Sequence, residues 1–435
     1  MIDPATMEGG HEHQATRKQP KTALAVCGDL SFPSGSQIYV LEIIRDLLAA
    51  GIKLSLWTPT RPENSPPGTW GDEVQWFVRP AFFQHGLGVT GKLRRTREEA
   101  RFLALVRKMK PENCLVLADR PRLVYLFVPR RARFAFLLHE VGPSCPGLPP
   151  HRFLRKSRTM CSKPPGPGCL AVDRREGCLG QRPFWRKLHS IVRSVWAVWL
   201  VRRLRVVVAN SRYTAEMYKQ GSPRFDPVVV HPRVTTPGTA AGAQQKDPQA
   251  RLRIGFIGRV EEAKGIFEAL EILTCLPEAY SLTAIGEGAA REGAQQRAQE
   301  LGLAARVQFL GWLGRDELSN ALREIGVVLF PSIWAEGFGM VGAEALCSGI
   351  PVVAYDAGGI GEWCDGSSSR VVGVGDRTDA AAQITALTAD ASAWRNACRA
   401  AAGHATRRFD AAAQRKLLFS ALGLSESQHP GALLA

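Results

Sequence analysis

Short apolar runs recur along the chain, each closed by Gly, Pro or an acidic residue and most followed by a stretch with helical spacing of apolar positions. KTALAVCGD (21–29) reads as a strand, 37–50 as a helix, IKLSLWT (52–58) as a strand, 94–110 as a helix, and CLVLAD (114–119) and FAFLLHE (134–140) as strands. The pattern resumes with IGFIG (254–258), and GVVLF (326–330) leads into an acidic, glycine-spaced turn, an amphipathic helix ending at Gly349 and the strand PVVAY (351–355). Strands alternating with helices at this spacing predict an α/β protein with parallel sheets, whose ligands bind beyond the carboxyl ends of the strands. HPRVTTPGTAAGAQQKDPQA (231–250) holds neither period and predicts a hinge. The expected division is a leader without regular structure over 1–21, an N-terminal domain over 22–234 with an insertion at about 141–183, a linker over 235–250, a C-terminal domain over 251–409, and a crossing helix and tail over 410–435.

Length and composition fit two such domains: 435 residues exceed one ordinary core, and 45% hydrophobic with 22% charged residues is ordinary for a globular chain. The longest apolar stretch, SVWAVWLV (194–201), falls well short of the ~18–20 residues of a membrane-spanning helix. Ten scattered cysteines, with Cys27, Cys275 and Cys347 inside expected core elements, point to a reducing, cytoplasmic location. Charge is uneven. Residues 1–234 carry 38 Lys and Arg against 18 Asp and Glu, net +20, whereas 235–435 carry 18 against 22, net −4. Basic clusters flank IVRSVWAVWL (191–200), so this helix either lies on an anionic membrane surface, faces an acidic acceptor, or buries its apolar face with arginines outward. No nucleic-acid motif accompanies the charge, so no nucleic-acid partner is expected.

The densest chemistry lies in PSIWAEGFGMVGAEALCSGIPVVAYDAGGIGE (331–362). Glu336 in the turn and Glu344 in the helix bracket seven residues, placing the second about 9 Å along the axis from the helix start. Unpaired N–H groups of Gly337, Phe338 and Gly339 at a helix start suit a phosphate, and carboxylates at the two ends suit hydroxyls. In IGFIGRVEEAKGIFEAL (254–270), Arg259 and Lys264 fall on the loop after a strand and the first turn of the next helix, where two cations can clamp a diphosphate. His139 closes an apolar strand, as a structural histidine or a functional one. Cys145, Cys161, Cys169 and Cys178 crowd the insertion with 15, 7 and 8 residues between them and no C-x2-C pair, leaving open a zinc site with His139 or His151, incidental thiols or a labile disulfide.

GFIGRVEEAKG and FPSIWAEGFGMVGAEALCSGIPVVAYDAGG resemble the C-terminal half of glycosyltransferase family 4, retaining enzymes with the GT-B fold, two Rossmann-like domains facing across a cleft. AIGEGAA (284–290), VQFLGWLGRDEL (307–318) and VVVANSRYTAEMY (206–218) fall where the family has comparable segments, so the likeness runs over about 23–423. It implies sugar transfer from a nucleoside diphosphate, UDP or GDP, to an acceptor hydroxyl with anomeric configuration retained, in bacterial glycan, polysaccharide or glycolipid assembly. Arg259, Lys264 and the amides of Gly337–Gly339 would stabilise the leaving diphosphate without an obligatory metal. Glu336 would orient donor-sugar hydroxyls, Glu344 would bind the ribose, and His139 would reach the sugar from the other domain. Gly35 carries over from the family's glycine-rich turn, whose second glycine is Ser36 here. Where family members often carry Asn-Gly at the hinge, this chain has Pro232-Arg233. The acceptor is expected to be a glycan or lipid-linked and anionic, with the enzyme peripheral to the inner membrane face. A nucleotide-sugar epimerase on the same fold and a non-catalytic basic surface-binding subunit are the competing readings.

Overall fold

The computed structural model describes residues 21–30, 35–61, 74–83, 89–117, 120–234 and 248–424; the expected leader, most of the linker and the last eleven positions lie outside them. Two wholly parallel sheets organise the chain. The first comprises β1 (Thr22–Val26), β2 (Lys53–Thr58), β3 (Val74–Val78), β4 (Asn113–Val116), β5 (Arg133–Leu138), β6 (Val207–Ala209) and β7 (Val228–Val229), in the order β3-β2-β1-β4-β5-β6-β7. The second comprises β8 (Arg253–Ile257), β9 (Ser281–Ile285), β10 (Val307–Gly311), β11 (Val327–Phe330), β12 (Val352–Tyr355) and β13 (Ser369–Val372), in the order β10-β9-β8-β11-β12-β13. Central strands such as β4, β11 and β12 are buried at every position, as strands covered by helices on both faces must be.

Each sheet has its own core on each face. The last helix, α10 (Ala411–Ala421), belongs to the first sheet: Leu418, Phe419 and Leu422 pack with Ala23, Ile43 and Leu54. It can leave its predecessor, α9 (Ala391–Arg408), because Asp410 starts a new helix, accepting hydrogen bonds from the N–H groups of Ala412 and Ala413. The helix within the segment expected to cross back, 410–435, thus packs against the first domain.

Sequence periodicity located β1, β2, β4, β5, β8, β11 and β12. It missed β3, β6, β7, β9, β10 and β13; β6 and the edge strand β7, at three and two residues, are too short to display a period. Cys275, expected in a core, is exposed, because α6 (Ile266–Thr274) ends one residue before it. The helix α4 (Phe184–Val201) buries only Ser190, Ile191, Ser194, Val198, Leu200 and Val201. Phe184, Trp185, Leu188, Val192, Val195, Trp196 and Trp199 remain exposed, so burial of the whole apolar face does not describe it.

Candidate functional site

The site grows from the loops that follow β8 and β11. After β8 the chain turns at Gly258, makes a short 3-10 turn at Glu262–Lys264 and passes through Gly265 in the left-handed region before α6 begins. Lys264 therefore precedes the helix rather than occupying its first turn. Gly265 cannot be replaced: with φ of 84° and a Cβ that would stand 1.9 Å from the Pro331 carbonyl oxygen, only glycine lets the two loops cross. At the crossing the Ala263 carbonyl accepts hydrogen bonds from the N–H groups of Ile333 and Trp334, which locks the loop after β11 against the Lys264 turn.

The crossing brings Lys264 Nζ to 2.6 Å from Glu336 Oε1, and Ser332 Oγ donates to the same oxygen at 2.9 Å. Glu336 is 8% exposed, so its charge is held by this lysine and this hydroxyl rather than by water. Its backbone is fixed as well: its N–H donates to the Ala357 carbonyl and its carbonyl accepts from the Gly359 N–H. Arg259 stands apart, exposed, with Nη1 2.6 Å from Glu261 Oε1. Of the two expected diphosphate cations, one sits at Glu336 and one lies outside the pair.

Beyond Glu336 the loop meets the first domain. A Cβ on Gly337 would fall 2.5 Å from the His139 carbonyl oxygen, and one on Gly35 would fall 3.2 Å from Met340 Cγ. His139 at the end of β5 and Gly35 at the start of α1 (Gly35–Ala49) thus both border the start of α7 (Met340–Cys347). Asn210 Nδ2 donates to the His139 carbonyl at 3.3 Å, and Thr214 Oγ1 to the Gly337 carbonyl at 3.5 Å. The N–H groups of Gly337, Phe338 and Gly339 donate to no acceptor among the described residues, the condition for an anion site at a helix start. The Phe338 side chain is buried against Phe409 and His231, so only its amide faces a ligand. His139 Nδ1 is buried without a partner, and burial pushes the imidazole below its usual pKa, opposed by the nearby Glu140 charge. A neutral ring is the resting form.

Glu344, on α7, looks toward α1. Burial first, and then the Glu42 charge, raise its pKa to about 7; burial raises Glu42 to about 7 as well. Arg233, in the segment expected to be a hinge, answers this negative cluster: its Nη2 lies 2.8 Å from Asp46 Oδ2 and donates to the Glu42 carbonyl at 3.0 Å. A carboxyl that keeps its proton longer folded than unfolded costs stability as pH rises from the ordinary 4.5 toward 7, with the full cost above that. Glu42→Gln should therefore raise the melting temperature at pH 8 and change it little at pH 5. Thermal unfolding at both values checks this, and equal shifts would mean the charge is not the cause.

Three contributors carried no sequence signal of their role at the site. Ser332 is one serine in a turn. Arg233 lacks any nearby acidic pattern in the chain, its partners lying nearly two hundred positions away. Glu362 accepts from the N–H groups of Arg212 and Tyr213 at 2.9 and 2.7 Å, capping α5 (Arg212–Lys219) of the other domain, and pairs with His231 Nε2 at 2.9 Å. It latches the domains together.

Residues 241–404 match the family model described as "Glycosyl transferases group 1". D-inositol 3-phosphate glycosyltransferase of Mycobacterium marinum is 34% identical over 201 residues, covering 42% of this chain and 42% of that protein. Matches to curated relatives at this level span a third to a half of the relatives' own length. Solved structures align over nearly the whole chain. HepE of Anabaena in complex with UDP-glucose superposes with a TM-score of 0.66 at 18% identity, covering 92% of this chain and 99% of that one. Sucrose-phosphate synthase of Thermosynechococcus elongatus gives 0.67 at 19%, covering 92% and 98%. The fold is GT-B, two parallel-sheet α/β domains, and the Mycobacterium marinum relative is named as a glycosyltransferase.

Proposed function

We propose that the protein is a retaining family 4 glycosyltransferase that moves a hexosyl group from a nucleoside diphosphate sugar, UDP-linked or GDP-linked, to a hydroxyl of a glycan or lipid-linked acceptor. The observation that carries this is the Lys264–Glu336 pair beside three unpaired amides at the start of α7, facing His139 and Gly35 of the other domain. Residues 22–234 would hold the acceptor and 251–409 the donor, with 410–435 crossing back.

Bond cleavage at the anomeric carbon leaves charge on the diphosphate. Lys264 and the amides of Gly337, Phe338 and Gly339 are the groups suited to meet it, as fixed donors in a partly dry site, with Arg259 able to swing in from its exposed position. This stabilisation uses no metal. Glu336, held by Lys264 and Ser332, would orient sugar hydroxyls, His139 would contact the sugar from across the cleft, and Glu344 would bind the ribose. HepE was solved with UDP-glucose, which favours uridine as the base. Thermal shift with uridine, guanosine and adenosine diphosphates tests the reading: one should raise the melting temperature selectively, and the shift should shrink in Lys264→Ala. No shift with any of the three would count against a nucleotide site.

The acceptor side is read from α4. Its exposed apolar stripe includes Trp196 and Trp199, stacked at 4.7 Å, and Arg186 and Arg203 lie over Trp185 and Trp199. From 182 to 205 the chain has seven Lys or Arg and no Asp or Glu. No described helix is long and apolar enough to cross a membrane, and attachment by this face would be peripheral. Each cation near an anionic bilayer contributes about 1 kcal/mol. Co-sedimentation should favour anionic over neutral liposomes, fall with salt, and be lost on changing Arg186, Lys187, Arg193, Arg202, Arg203 and Arg205 to Gln. Equal pelleting with both lipids would leave the face merely solvated. A phosphorylated acceptor named in the inositol phosphate relatives also accords with a net +20 acceptor half.

A further inference from the structure

The insertion at 141–183 is a strap with little regular structure of its own, a ribbon of Phe153–Leu154 with Thr159–Met160 and the helix α3 (Gly168–Glu176). It nevertheless spans both domains. Phe153 is buried in the core of the second domain, and Arg158 reaches Glu268 there at 2.5 Å. The His151 ring stands edge-on to Trp334 at 5.5 Å, two positions before Glu336. The strap therefore forms a wall beside the candidate site, and its own polar contacts include the Lys156 and Ser157 N–H groups donating to Glu176 and Lys187 Nζ 2.6 Å from Asp173 Oδ2.

Cys145, Cys161, Cys169 and Cys178 line a single cavity of about 30 Å³ within it. Two cysteine-bearing turns meet at this cavity: the Leu148 N–H donates to the Cys178 carbonyl at 2.8 Å, and a Cβ on Gly147 would stand 3.3 Å from both Cys145 Sγ and the Cys178 carbonyl oxygen. The second observation is Arg152, which lines the same cavity and is 3% exposed. Its donors reach only neutral oxygens, the carbonyls of Cys161, Lys163 and Ser144 and the Ser144 hydroxyl. Its Nε has no partner, and among the described residues no carboxylate pairs with it. A buried guanidinium without a counter-charge is costly unless an anion belongs beside it.

We propose that Cys145, Cys161, Cys169 and Cys178 are the ligands of a structural tetrathiolate site for Zn²⁺ that braces the strap across the two domains. Binding releases the four thiol protons and leaves a centre of net charge −2, which Arg152 and Lys163, both lining the cavity, offset. Among the described residues no group of three His, Cys, Asp or Glu is placed to hold a metal ion, so the four thiols that line the cavity would have to converge on binding. The spacing of 15, 7 and 8 residues lacks the paired C-x2-C knuckle, and the set becomes visible only where the fold brings four distant thiols to one cavity.

The test uses the full chain, purified reduced with zinc supplied and without chelator, and zinc measured by elemental analysis and by release on mercurial titration of thiols. About one zinc per chain is expected, retained in the control Cys275→Ser and lost in Cys169→Ser and Cys178→Ser. Should those variants misfold, Co²⁺ added to the zinc-stripped wild type reads the same site through thiolate-to-cobalt charge-transfer absorption of four-sulfur intensity. Arg152→Gln should retain zinc less tightly than wild type. A reduced wild-type chain that holds no zinc and gives no such cobalt absorption, or a native mass showing disulfides among these four cysteines, overturns the proposal.

Discussion

Lys264→Ala is expected to lower kcat/KM for the matched sugar nucleotide about 10²–10³-fold, the usual loss when a fixed donor to developing charge is removed. The pair geometry makes the effect double. Lys264 would both meet the diphosphate and hold Glu336, whose Oε1 it contacts at 2.6 Å, so its removal leaves a carboxylate at 8% exposure with Ser332 as sole side-chain donor. Nucleotide affinity should therefore fall together with turnover. Glu336→Gln should behave differently, sparing diphosphate affinity while turnover drops, because the amide still fills the space but orients sugar hydroxyls poorly. Calorimetry with the diphosphate and steady-state rates with the donor separate the two. Equal loss of the same property in both variants would mean that the two side chains act only as one structural pair.

Gly337→Ala should damage turnover by adding a single methyl group at the approach of the two domains. Its Cβ would stand 2.5 Å from the His139 carbonyl oxygen and 2.9 Å from Asn210 Nδ2, and a backbone oxygen cannot rotate away. The domains must part locally, at a cost of about 1–3 kcal/mol. The separation moves His139 and the amides out of register, for which about a 10²-fold fall in turnover is expected. Gly366→Ala serves as a contrast, since nothing stands near its Cβ and any effect there comes from its φ of 72° alone. Unchanged activity in Gly337→Ala would show that the close approach of the domains is not needed for the reaction.

Much of the donor half was legible because its signals are local. A strand, a turn with Glu336, an eight-residue helix with Glu344 and a second strand follow one another within thirty residues, and period and glycine spacing report each of them. The Arg259 and Lys264 segment was legible as the connection after a strand, although Lys264 was expected in the first turn of the next helix and instead precedes it. Its geometry was not, because the crossing of that loop with Pro331 depends on Gly265 and on hydrogen bonds from Ile333 and Trp334 to Ala263 across seventy residues. The same limit explains Arg233, whose conflict with the family's hinge pair becomes intelligible once Asp46 and Glu42 stand beside it. It explains α4 too: period shows that one face is apolar, but only packing shows that Trp185, Trp196 and Trp199 lie on the side left uncovered.

The measurement closest to the central claim is donor turnover itself. The purified chain is incubated with UDP- and GDP-linked hexoses, with water or a simple alcohol as acceptor, while release of nucleoside diphosphate is followed and the newly formed sugar product is read by proton NMR before it mutarotates. One donor should release its diphosphate, the product should carry the anomeric configuration of that donor, and Lys264→Ala should lower both signals about 10²–10³-fold. A protein that binds and cleaves none of these donors, or yields the opposite anomer, would contradict the account.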